Sequence, residues 1–338
     1  MRGVRGKGKD EIMSLSARHR ESIDLLAVLS IALVFFGLAG PAAAQGSKDV
    51  KLGLLPIDSS IQAFVAKDKG FFREEGLTVT IAFMAGGAVI APAVEGGELQ
   101  IGFSNAVSII LAHMKGFDFQ FLAEAGIHLA EAPTLKLLVR KDSDVNAPKD
   151  LEGKVVGTNT LGGIDEVSLR AWAKQNQVDL KKVQVVEIPF PQMVAALSSR
   201  RVHGVMIGEP FMTLAEAQVG TRTLGVPWSA ISRRLMISGY FAKKSWAEAN
   251  KETVEAFVRA IQKATQFVNG HPGELGAILA NNTRISKEVA DKIVRQAYSE
   301  RFRRADLQVW IDPLQEMGFI DKKIDVAPLI SKFAHVEQ

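Results

Sequence analysis

Small polar residues and glycines recur where predicted strands give way to helices, and their chemistry is that of ligand binding. Glycines let backbone N–H groups approach a ligand closely, while Ser, Thr and Asn side chains donate and accept hydrogen bonds. These strand-to-helix junctions contain Asp58, Ser59, Ser60, Gly86, Gly87, Ser104, Asn105, Thr160, Gly162 and Gly163. One such junction is a weak signal, but four in succession predict a single binding site for a small polar molecule.

Two further junctions carry aromatic rings and a carboxyl group. Phe190 and Gln192 follow one predicted strand, and Glu209 and Phe211 follow another. A ring at this position can stack on a planar ligand, and the Glu209 carboxylate can accept a hydrogen bond from an amine or amide. The alternative for Glu209, of equal weight, is a carboxylate stabilised by the positive end of a helix dipole.

Catalytic and metal-binding patterns do not emerge from the sequence. It has no cysteine and only six histidines, and it lacks the motifs of serine hydrolases, zinc proteases and phosphate-binding loops. We therefore expect no catalytic residue, no metal ligand and no cofactor. His128 is interpreted as a surface-loop residue, with a position in the cleft as the alternative. Trp228 and Tyr240 are interpreted as packing near a hinge.

Residues 56–81 illustrate how the junctions are built. Ser59 and Gln62 have the spacing of a capping box, in which two side chains satisfy free amides at a helix start. Gly76 is placed to end this helix, and residues 77–83 are predicted to form a strand. A helix start facing a strand end suits a polar or anionic ligand; an ordinary capped surface helix is the alternative.

Strands and helices alternate through most of the chain, and helices dominate its last third. This alternation predicts α/β architecture, with mostly parallel sheets covered by helices on both faces. We expect residues 45–140, including a strand at 135–140, to form the first part of lobe 1. Residues 141–230 form lobe 2, and residues 231–338 return to lobe 1. Ligands of such sheets bind beyond the carboxyl ends of the strands, so the cleft lies between the lobes.

The amino-terminal segment has the layout of a secretory signal peptide. A basic stretch (residues 2–20) precedes an apolar run (residues 25–39) and an A-x-A sequence (residues 42–44). The run is shorter than the roughly 20 residues of a membrane-spanning helix, which disfavours the alternative of an uncleaved anchor. We expect cleavage after Ala44, which removes residues 1–44 and releases the protein into the periplasm.

The charge balance argues against a nucleic-acid partner. The formal net charge is +4, but six of the 41 Lys and Arg and four of the 37 Asp and Glu precede residue 45. The remaining chain therefore carries a net charge of only +2, without a basic stripe interleaved with aromatic residues. The absence of cysteine also excludes disulfides and a lipid-modified cysteine after the signal.

Several motifs resemble the nitrate/sulfonate/taurine family of ABC-transporter periplasmic substrate-binding proteins. Residues 64–79 are similar to the family's opening, and Gly86-Gly87 with residues 95–102 are similar to its glycine turn and A-x-x-x-G-x-x-D-x-G pattern, with Gln100 in place of Asp. Residues 151–157 resemble its L-x-G-K-x-V-G motif.

The carboxyl half of the resemblance departs from the family pattern. Residues 193–206 resemble A-x-x-x-G-x-V-D-A, but Arg201 replaces the Gly and His203 the Asp. Glu209 and the proline after it match the family's E-P pair. The resemblance covers most of residues 48–283.

This resemblance implies a two-lobed periplasmic-binding-protein fold of type II, with a hinge and an interlobe ligand cleft. It implies a small-molecule solute, delivered to an ABC permease in the inner membrane by a protein that we expect to be a monomer. The fungal thiamine-pyrimidine synthases share the fold. Such an enzyme remains an alternative, although by resemblance it needs a cysteine-rich motif.

The solute itself is not fixed by the resemblance. The loop at 161–164 lacks the Ser/Thr-rich turn of a strong oxoanion site, which weakens an inorganic anion. Phe190, Glu209 and Phe211 fit a planar or partly apolar organic solute, such as a sulfonate or an aromatic carboxylate. A thiamine-pyrimidine precursor is an alternative solute, and solute sensing is an alternative to transport.

Overall fold

The structure, a computed structural model, describes residues 48–337. The predicted signal peptide and its cleavage after Ala44 lie outside the described residues. Residues 48–337 form thirteen strands and thirteen α-helices. The strands in chain order are β1 (Lys48–Leu54), β2 (Leu77–Phe83), β3 (Ile101–Asn105), β4 (Phe119–Glu124), β5 (Gly126–Leu129), β6 (Leu135–Arg140), β7 (Val155–Thr158), β8 (Gln184–Glu187), β9 (Gly204–Gly208), β10 (Thr221–Gly225), β11 (Arg234–Met236), β12 (Ser238–Lys243) and β13 (Ala297–Tyr298).

The helices alternate with the strands as far as residue 219 and predominate after residue 243. In chain order they are α1 (Ile61–Asp68), α2 (Phe71–Glu74), α3 (Gly87–Glu95), α4 (Ala106–Met114), α5 (Ile164–Gln175), α6 (Phe190–Ser198), α7 (Phe211–Val219), α8 (Lys244–Ala249), α9 (Lys251–Gly270), α10 (Leu275–Asn282), α11 (Lys287–Ala290), α12 (Arg304–Gln308) and α13 (Ile311–Glu316). None of those within residues 48–337 is long and apolar enough to cross a membrane.

The first five-stranded sheet has the order β2-β1-β3-β12-β4. Strand β1 pairs in parallel with both β2 and β3, whereas β12 is antiparallel to β3 and β4. Its central strands are covered on both faces, so Leu52, Leu54, Ile101 and Phe103 are all buried. This matches the near-continuous apolar runs expected of parallel strands between helix layers.

The second five-stranded sheet repeats this arrangement, with the order β8-β7-β9-β6-β10. Strand β7 is parallel to β8 and β9, and β6 is antiparallel to β9 and β10. The prediction that Leu135–Arg140 completes the first lobe was therefore wrong. In each sheet, one antiparallel strand lies between two neighbours, and it is the strand that the chain forms after crossing from the other sheet. This strand is β12 in the first sheet and β6 in the second.

A small third sheet, β11-β5-β13, joins three distant parts of the chain. Strand β5 precedes the first crossing, β11 lies on the return, and β13 comes from the carboxyl-terminal segment. The carboxyl-terminal segment packs on this small sheet and also reaches the first sheet, where Ile330 forms a bridge with Phe121 of β4. The fully buried Trp310 donates its indole N–H to the carbonyl of Met236, in β11, at 2.9 Å.

The helix predicted after residue 58 is divided by a glycine. Gly70 adopts φ +83°, a left-handed conformation that few other residues tolerate, and separates α1 from α2. Gly76, with φ +72°, follows α2 as predicted, and the predicted strand at residues 77–83 is confirmed as β2. The core beneath α1 is aromatic, because Phe257 of α9 stacks on Phe72 and meets Tyr240 edge-on.

Candidate functional site

A cavity lies between the two five-stranded sheets, at the carboxyl ends of four parallel strands. Its empty volume, counting the open mouth, is about 610 Å³. The first-sheet side contributes Leu55, Ile57, Ser59, Gly87, Phe103, Ser104, Asn105, Ile237, Ser238 and Gln296. The second-sheet side contributes Thr134, Leu135, Asn159, Thr160, Ile164, Asp165, Phe190, Gly208, Glu209 and Trp228. A cavity therefore lies at the strand ends, where the sequence predicted that a ligand would bind.

The cavity is mixed in character, with apolar walls and a few polar groups. Phe103, Phe190 and Trp228 provide aromatic surface, and Leu135 and Ile164 provide aliphatic surface. Such a lining buries an apolar body, while scattered polar atoms orient it.

Five polar atoms of the lining are buried without a hydrogen-bond partner among residues 48–337. They are Ser104 Oγ, Thr134 Oγ1, Asn159 Nδ2, Asp165 Oδ1 and Trp228 Nε1. An unmade hydrogen bond at a buried group costs about 1–3 kcal/mol, so native proteins rarely leave several together. Their convergence on one cavity indicates a place where an incoming molecule supplies the missing partners.

Asp165 lies in the first turn of α5 and is 3% exposed. Burial raises the pKa of its carboxyl from about 3.8 to about 7. The Trp228 indole and the Asn159 backbone lie close enough to oppose this rise in pKa, but the indole does not reach hydrogen-bond geometry. A substantial fraction of Asp165 is therefore neutral near pH 7 in the free protein.

Glu209 is also buried, but its carboxylate is occupied. Oε1 accepts from Thr213 Oγ1 at 2.9 Å and from the Val294 N–H at 3.2 Å, and Oε2 accepts from the Thr213 N–H at 3.1 Å. Burial raises its pKa to about 7, although these hydrogen bonds oppose the rise. These bonds agree with the interpretation of Glu209 as a carboxylate at the start of a helix, since Thr213 belongs to the first turn of α7.

Half of the predicted binding residues line the cavity. They are Ser59, Gly87, Ser104, Asn105, Thr160, Phe190 and Glu209. Asn105 also caps α4, accepting a 2.8 Å hydrogen bond from the Ser108 N–H. The other seven, which the structure does not place in the lining, are Asp58, Ser60, Gly86, Gly162, Gly163, Gln192 and Phe211.

Asp58 turns away from the cavity towards the carboxyl-terminal segment. Its fully buried carboxylate accepts from Arg295 Nη1 at 2.5 Å and from the Tyr298 hydroxyl at 3.3 Å. Burial raises its pKa, and Arg295 opposes that rise. Ser60 is buried beside it, outside the lining.

The predicted capping box at Ser59 and Gln62 was wrong. Helix α1 begins at Ile61, after a short 3₁₀ turn, and neither side chain caps it. Ser59 Oγ donates to Gln296 Oε1 at 2.9 Å, and Gln62 Nε2 donates to Thr265 Oγ1 at 2.6 Å. Both side chains therefore bond to residues far away in the sequence, and neither bonds to the amides at the start of α1.

The remaining predicted glycines lie at the edge of the site. A Cβ on Gly86 would lie 3.6 Å from Asn159 Oδ1 and from Thr160 Oγ1, so the two walls of the cavity meet there. Gly162 has φ +69° in the turn before α5, where its N–H donates to Glu166 Oε2. Gly163 immediately precedes α5.

Gln192 and Phe211 are displaced for different reasons. Gln192 lines a neighbouring groove together with Phe83 and Met84. Phe211 is the first residue of α7 and is buried in the core.

Two residues, His128 and Trp228, were misjudged from the sequence. His128 is no surface residue: it belongs to β5, is 1% exposed, and its Nε2 lies 3.0 Å from Ser229 Oγ. Burial lowers its pKa to about 4. Trp228 lines the cavity, whereas Tyr240 is buried beneath α1, where its hydroxyl accepts from the Ala63 N–H.

Other lining residues gave little or no sequence signal. Asp165 closes the junction that begins at Thr160, but the residues predicted to bind there were Thr160, Gly162 and Gly163. Asn159 and Thr134 are single polar residues beside strands, and Gln296 is 237 residues from its partner Ser59. Within residues 48–337, no group of three His, Cys, Asp or Glu side chains could hold a metal ion.

Comparison with known proteins gives a family and several relatives. A family model described as NMT1/THI5 like matches residues 58–275. The nitrate/nitrite binding protein NrtA of Nostoc sp. (strain PCC 7120) is 23% identical over 237 residues, or 64% of this chain and 53% of NrtA. This chain thus spans about half of that relative. The formylaminopyrimidine-binding protein of Halalkalibacterium halodurans is 23% identical over 283 residues, or 81% of this chain and 82% of that protein.

Solved structures share the fold. The periplasmic aliphatic sulphonate binding protein SsuA of Escherichia coli has a TM-score of 0.67 at 19% identity, covering 85% of this chain and 99% of SsuA. The desulfurization enzyme DSZB has a TM-score of 0.61 at 14% identity, covering 85% of this chain and 97% of the enzyme. Identities this low establish the architecture alone, and that architecture serves binding proteins and at least one enzyme.

Proposed function

Because the chain belongs to the NMT1/THI5-like family and has the fold of the periplasmic binding proteins, we propose that it is the solute-binding component of an ABC importer. The observation that carries this proposal is the cavity between the two sheets, where five buried polar atoms lack partners within residues 48–337. A solute enclosed there would satisfy them. A micromolar affinity would correspond to about −8 kcal/mol.

We propose a small organic solute over an inorganic anion. The relatives bind chemically different molecules according to their names, which include nitrate/nitrite, formylaminopyrimidine and aliphatic sulphonate. The aromatic and aliphatic walls favour a partly apolar body, because apolar surface gains most from leaving water. Phe190 and Trp228, on the same side of the cavity, are suited to packing on a flat ring.

The strand orders of the two five-stranded sheets support the two lobes, whose boundaries are part of the proposal. Residues 48–129 and 238–337 would form lobe 1, and residues 135–225 would form lobe 2, with the hinge in the segments between them. Solute bound between the lobes would favour the closed arrangement by population shift, and a permease would recognise that arrangement. Export after cleavage at Ala44, delivery to an inner-membrane permease and a monomeric state belong to the same proposal.

Ligand-induced melting shifts provide the test. The purified protein, freed of carried-over ligand by unfolding and refolding, would be screened against sulfonates, aromatic carboxylates, nitrate, aromatic amides and amidines, and pyrimidines. We expect at least one small organic solute to raise the melting temperature in a concentration-dependent way. The absence of any shift in protein verified to be ligand-free and folded would contradict the proposal.

A matched pair of variants locates the binding site. Thr134→Val removes an unpartnered hydroxyl from the lining and preserves side-chain shape. Thr221→Val removes another buried hydroxyl without a partner among residues 48–337, from β10 and away from the cavity. We expect only the first variant to weaken binding. Equal affinities for wild type and both variants would place the solute elsewhere.

The proposal does not include catalysis. The likeness to DSZB concerns the fold, and the sequence contains no cysteine for the motif implied by resemblance to the pyrimidine synthases. Solute recovered unchanged after prolonged incubation would agree with binding alone. Conversion of the solute would revive the enzyme alternative.

A further inference from the structure

The group that most restricts the solute is the carboxyl of Asp165. We infer that the solute is uncharged or cationic and donates N–H hydrogen bonds to Asp165, and that it is not an oxyanion. The inference rests on the proposed function, because it concerns the same cavity. Asp165 is 3% exposed, and its Oδ1 has no partner among the described residues. It therefore offers a hydrogen-bonding position that a solute must fill.

The charges around the cavity disfavour an anion. Its lining contains two carboxyl groups, Asp165 and Glu209, and none of the Lys, Arg or His side chains of residues 48–337. The nearby Arg295 is committed to Asp58. An enclosed oxyanion would find no compensating cation, and either carboxyl group would repel it whenever that group is ionised, in a place where water screens little.

Asp165 is the acceptor that remains available. The carboxylate of Glu209 already receives three hydrogen bonds, from Thr213 and Val294. No such bond reaches Asp165 Oδ1 from residues 48–337. An N–H donor of the solute is the complement of this group, and a cationic donor would be the stronger one.

Two neighbouring donor groups favour a solute that also accepts hydrogen bonds. The indole N–H of Trp228 and the amide Nδ2 of Asn159 are donors without partners among residues 48–337. A solute that accepts from either of them beside the group that donates to Asp165 would satisfy both kinds of site. With the ring of Phe190 also in the lining, the chemistry fits a flat ring that carries an amide, amidine or amino group.

Four probes that share one ring isolate the head group: benzamidine, benzamide, benzoate and benzenesulfonate. Their dissociation constants would be measured by calorimetry on the protein without residues 1–44, which is its proposed exported form. We expect benzamidine and benzamide to bind at least about 10-fold more tightly than either anion. This factor corresponds to about 1.4 kcal/mol, less than a single charge-assisted hydrogen bond can contribute.

Asp165→Asn provides the variant, with Asp49→Asn as its control. Asp49 is exposed on β1, so its substitution removes one negative charge without touching the cavity. We expect Asp165→Asn to weaken benzamidine binding at least about 10-fold, and Asp49→Asn to leave it unchanged. If Asp165→Asn does not fold, the order of the four dissociation constants on the wild type still tests the inference.

The outcomes separate this inference from the function on which it rests. Tighter binding of benzoate or benzenesulfonate than of benzamidine overturns the inference and supports solute binding. If none of the four binds, the solute found in the wider melting screen decides. An anion overturns the inference, whereas an N–H donor that loses affinity in Asp165→Asn supports it. Complete absence of binding overturns the proposed function itself.

Discussion

Single residues set the character of the cavity, and the informative ones are those whose hydrogen bonds are incomplete. Ser104 and Asn105 could be predicted, because a polar pair between a strand and a helix is a local pattern. Asp165 and Trp228 could not be ranked above other residues of their type, since nothing in the sequence shows that Asp165 Oδ1 and Trp228 Nε1 are buried without partners. Burial and pairing of a side chain are properties of the packed structure.

The pH dependence of stability reports on Asp165. Its folded-state pKa, about 7, lies above the usual value near 3.8. The folded protein thus holds a proton that the unfolded chain releases, and the free energy of unfolding falls as the pH rises through this window. We expect urea unfolding to show a smaller decrease between pH 4.5 and 7.5 in Asp165→Asn than in wild type. The difference would be at most about 4 kcal/mol, since one pKa unit corresponds to about 1.4 kcal/mol.

Glu209 titrates in the same window and in the same direction, so the wild-type curve alone does not isolate Asp165. The comparison between wild type and Asp165→Asn does, because Glu209 is common to both. Identical pH dependence in the two proteins would contradict the assignment.

A substitution at Gly87 tests how closely the residues of the site are packed. A Cβ on Gly87 would lie 2.5 Å from Ser104 Oγ, inside the cavity lining. We expect Gly87→Ala to weaken solute binding at least about 10-fold, because the methyl group displaces the Ser104 hydroxyl. Calorimetric titration with the solute identified by melting shifts would measure this change.

Gly96→Ala, at the opposite end of α3, is the matched control. Gly96 has φ −72°, and a Cβ there meets nothing closer than 3.4 Å. We expect unchanged affinity and a gain in stability of up to about 1 kcal/mol, because alanine restricts the unfolded chain. Equal loss of affinity in both variants would mean that Gly87 acts only through the helix.

At the scale of elements, the sequence predicted strands and helices well where the pattern was local. β2 and the helix starting at Ala106 follow from alternation and from Asn105, respectively. The failures came from long-range packing. Ser59 and Gln62 have the spacing of a cap but bond to residues more than 200 positions away, and β6 pairs with the sheet that follows it.

The bond between α1 and α9 should show measurable coupling. Gln62 Nε2 donates to Thr265 Oγ1 at 2.6 Å, and both residues are buried. We expect Gln62→Met and Thr265→Val each to lower the free energy of unfolding by about 0.5–1.5 kcal/mol, because each removes this buried hydrogen bond. The group that remains keeps a second partner, the Ile261 carbonyl for Thr265 and the Glu124 carbonyl for Gln62. The double variant should lose less than the sum, by about 1 kcal/mol in a urea-unfolding cycle. Additive losses would show that the bond contributes nothing to stability.

At the scale of the whole molecule, the family and the fold expected from the sequence are confirmed. The alternating strands and helices and the motifs that resemble the family extend over most of the chain, so local errors did not change the architecture. The contacts of the carboxyl-terminal segment could not be predicted from local sequence patterns. It packs on the small third sheet, reaches the first sheet, and also places Gln296 in the cavity and Arg295 against Asp58.

The pair between Asp58 and Arg295 links the first turn of the fold to this segment. Asp58 is fully buried, so Arg295→Leu leaves a carboxylate without its cation. We expect a loss of about 3–5 kcal/mol in the free energy of unfolding, measured in urea near neutral pH. The double variant Asp58→Asn/Arg295→Leu should recover most of it.

The exposed Arg284 supplies the control for charge and shape. Arg284→Leu should change stability by less than about 0.5 kcal/mol. A similar small effect of Arg295→Leu would show that the buried pair does not support the fold.

The hydrogen bond from Ser59 to Gln296 has a consequence for the order in which the protein is made. One wall of the cavity is synthesised early, and Gln296, which completes the lining, follows its partner Ser59 by 237 residues. A nascent chain that has not yet reached residue 296 therefore lacks part of the lining. The cavity has all of its walls only after that residue has been made and packed against Ser59.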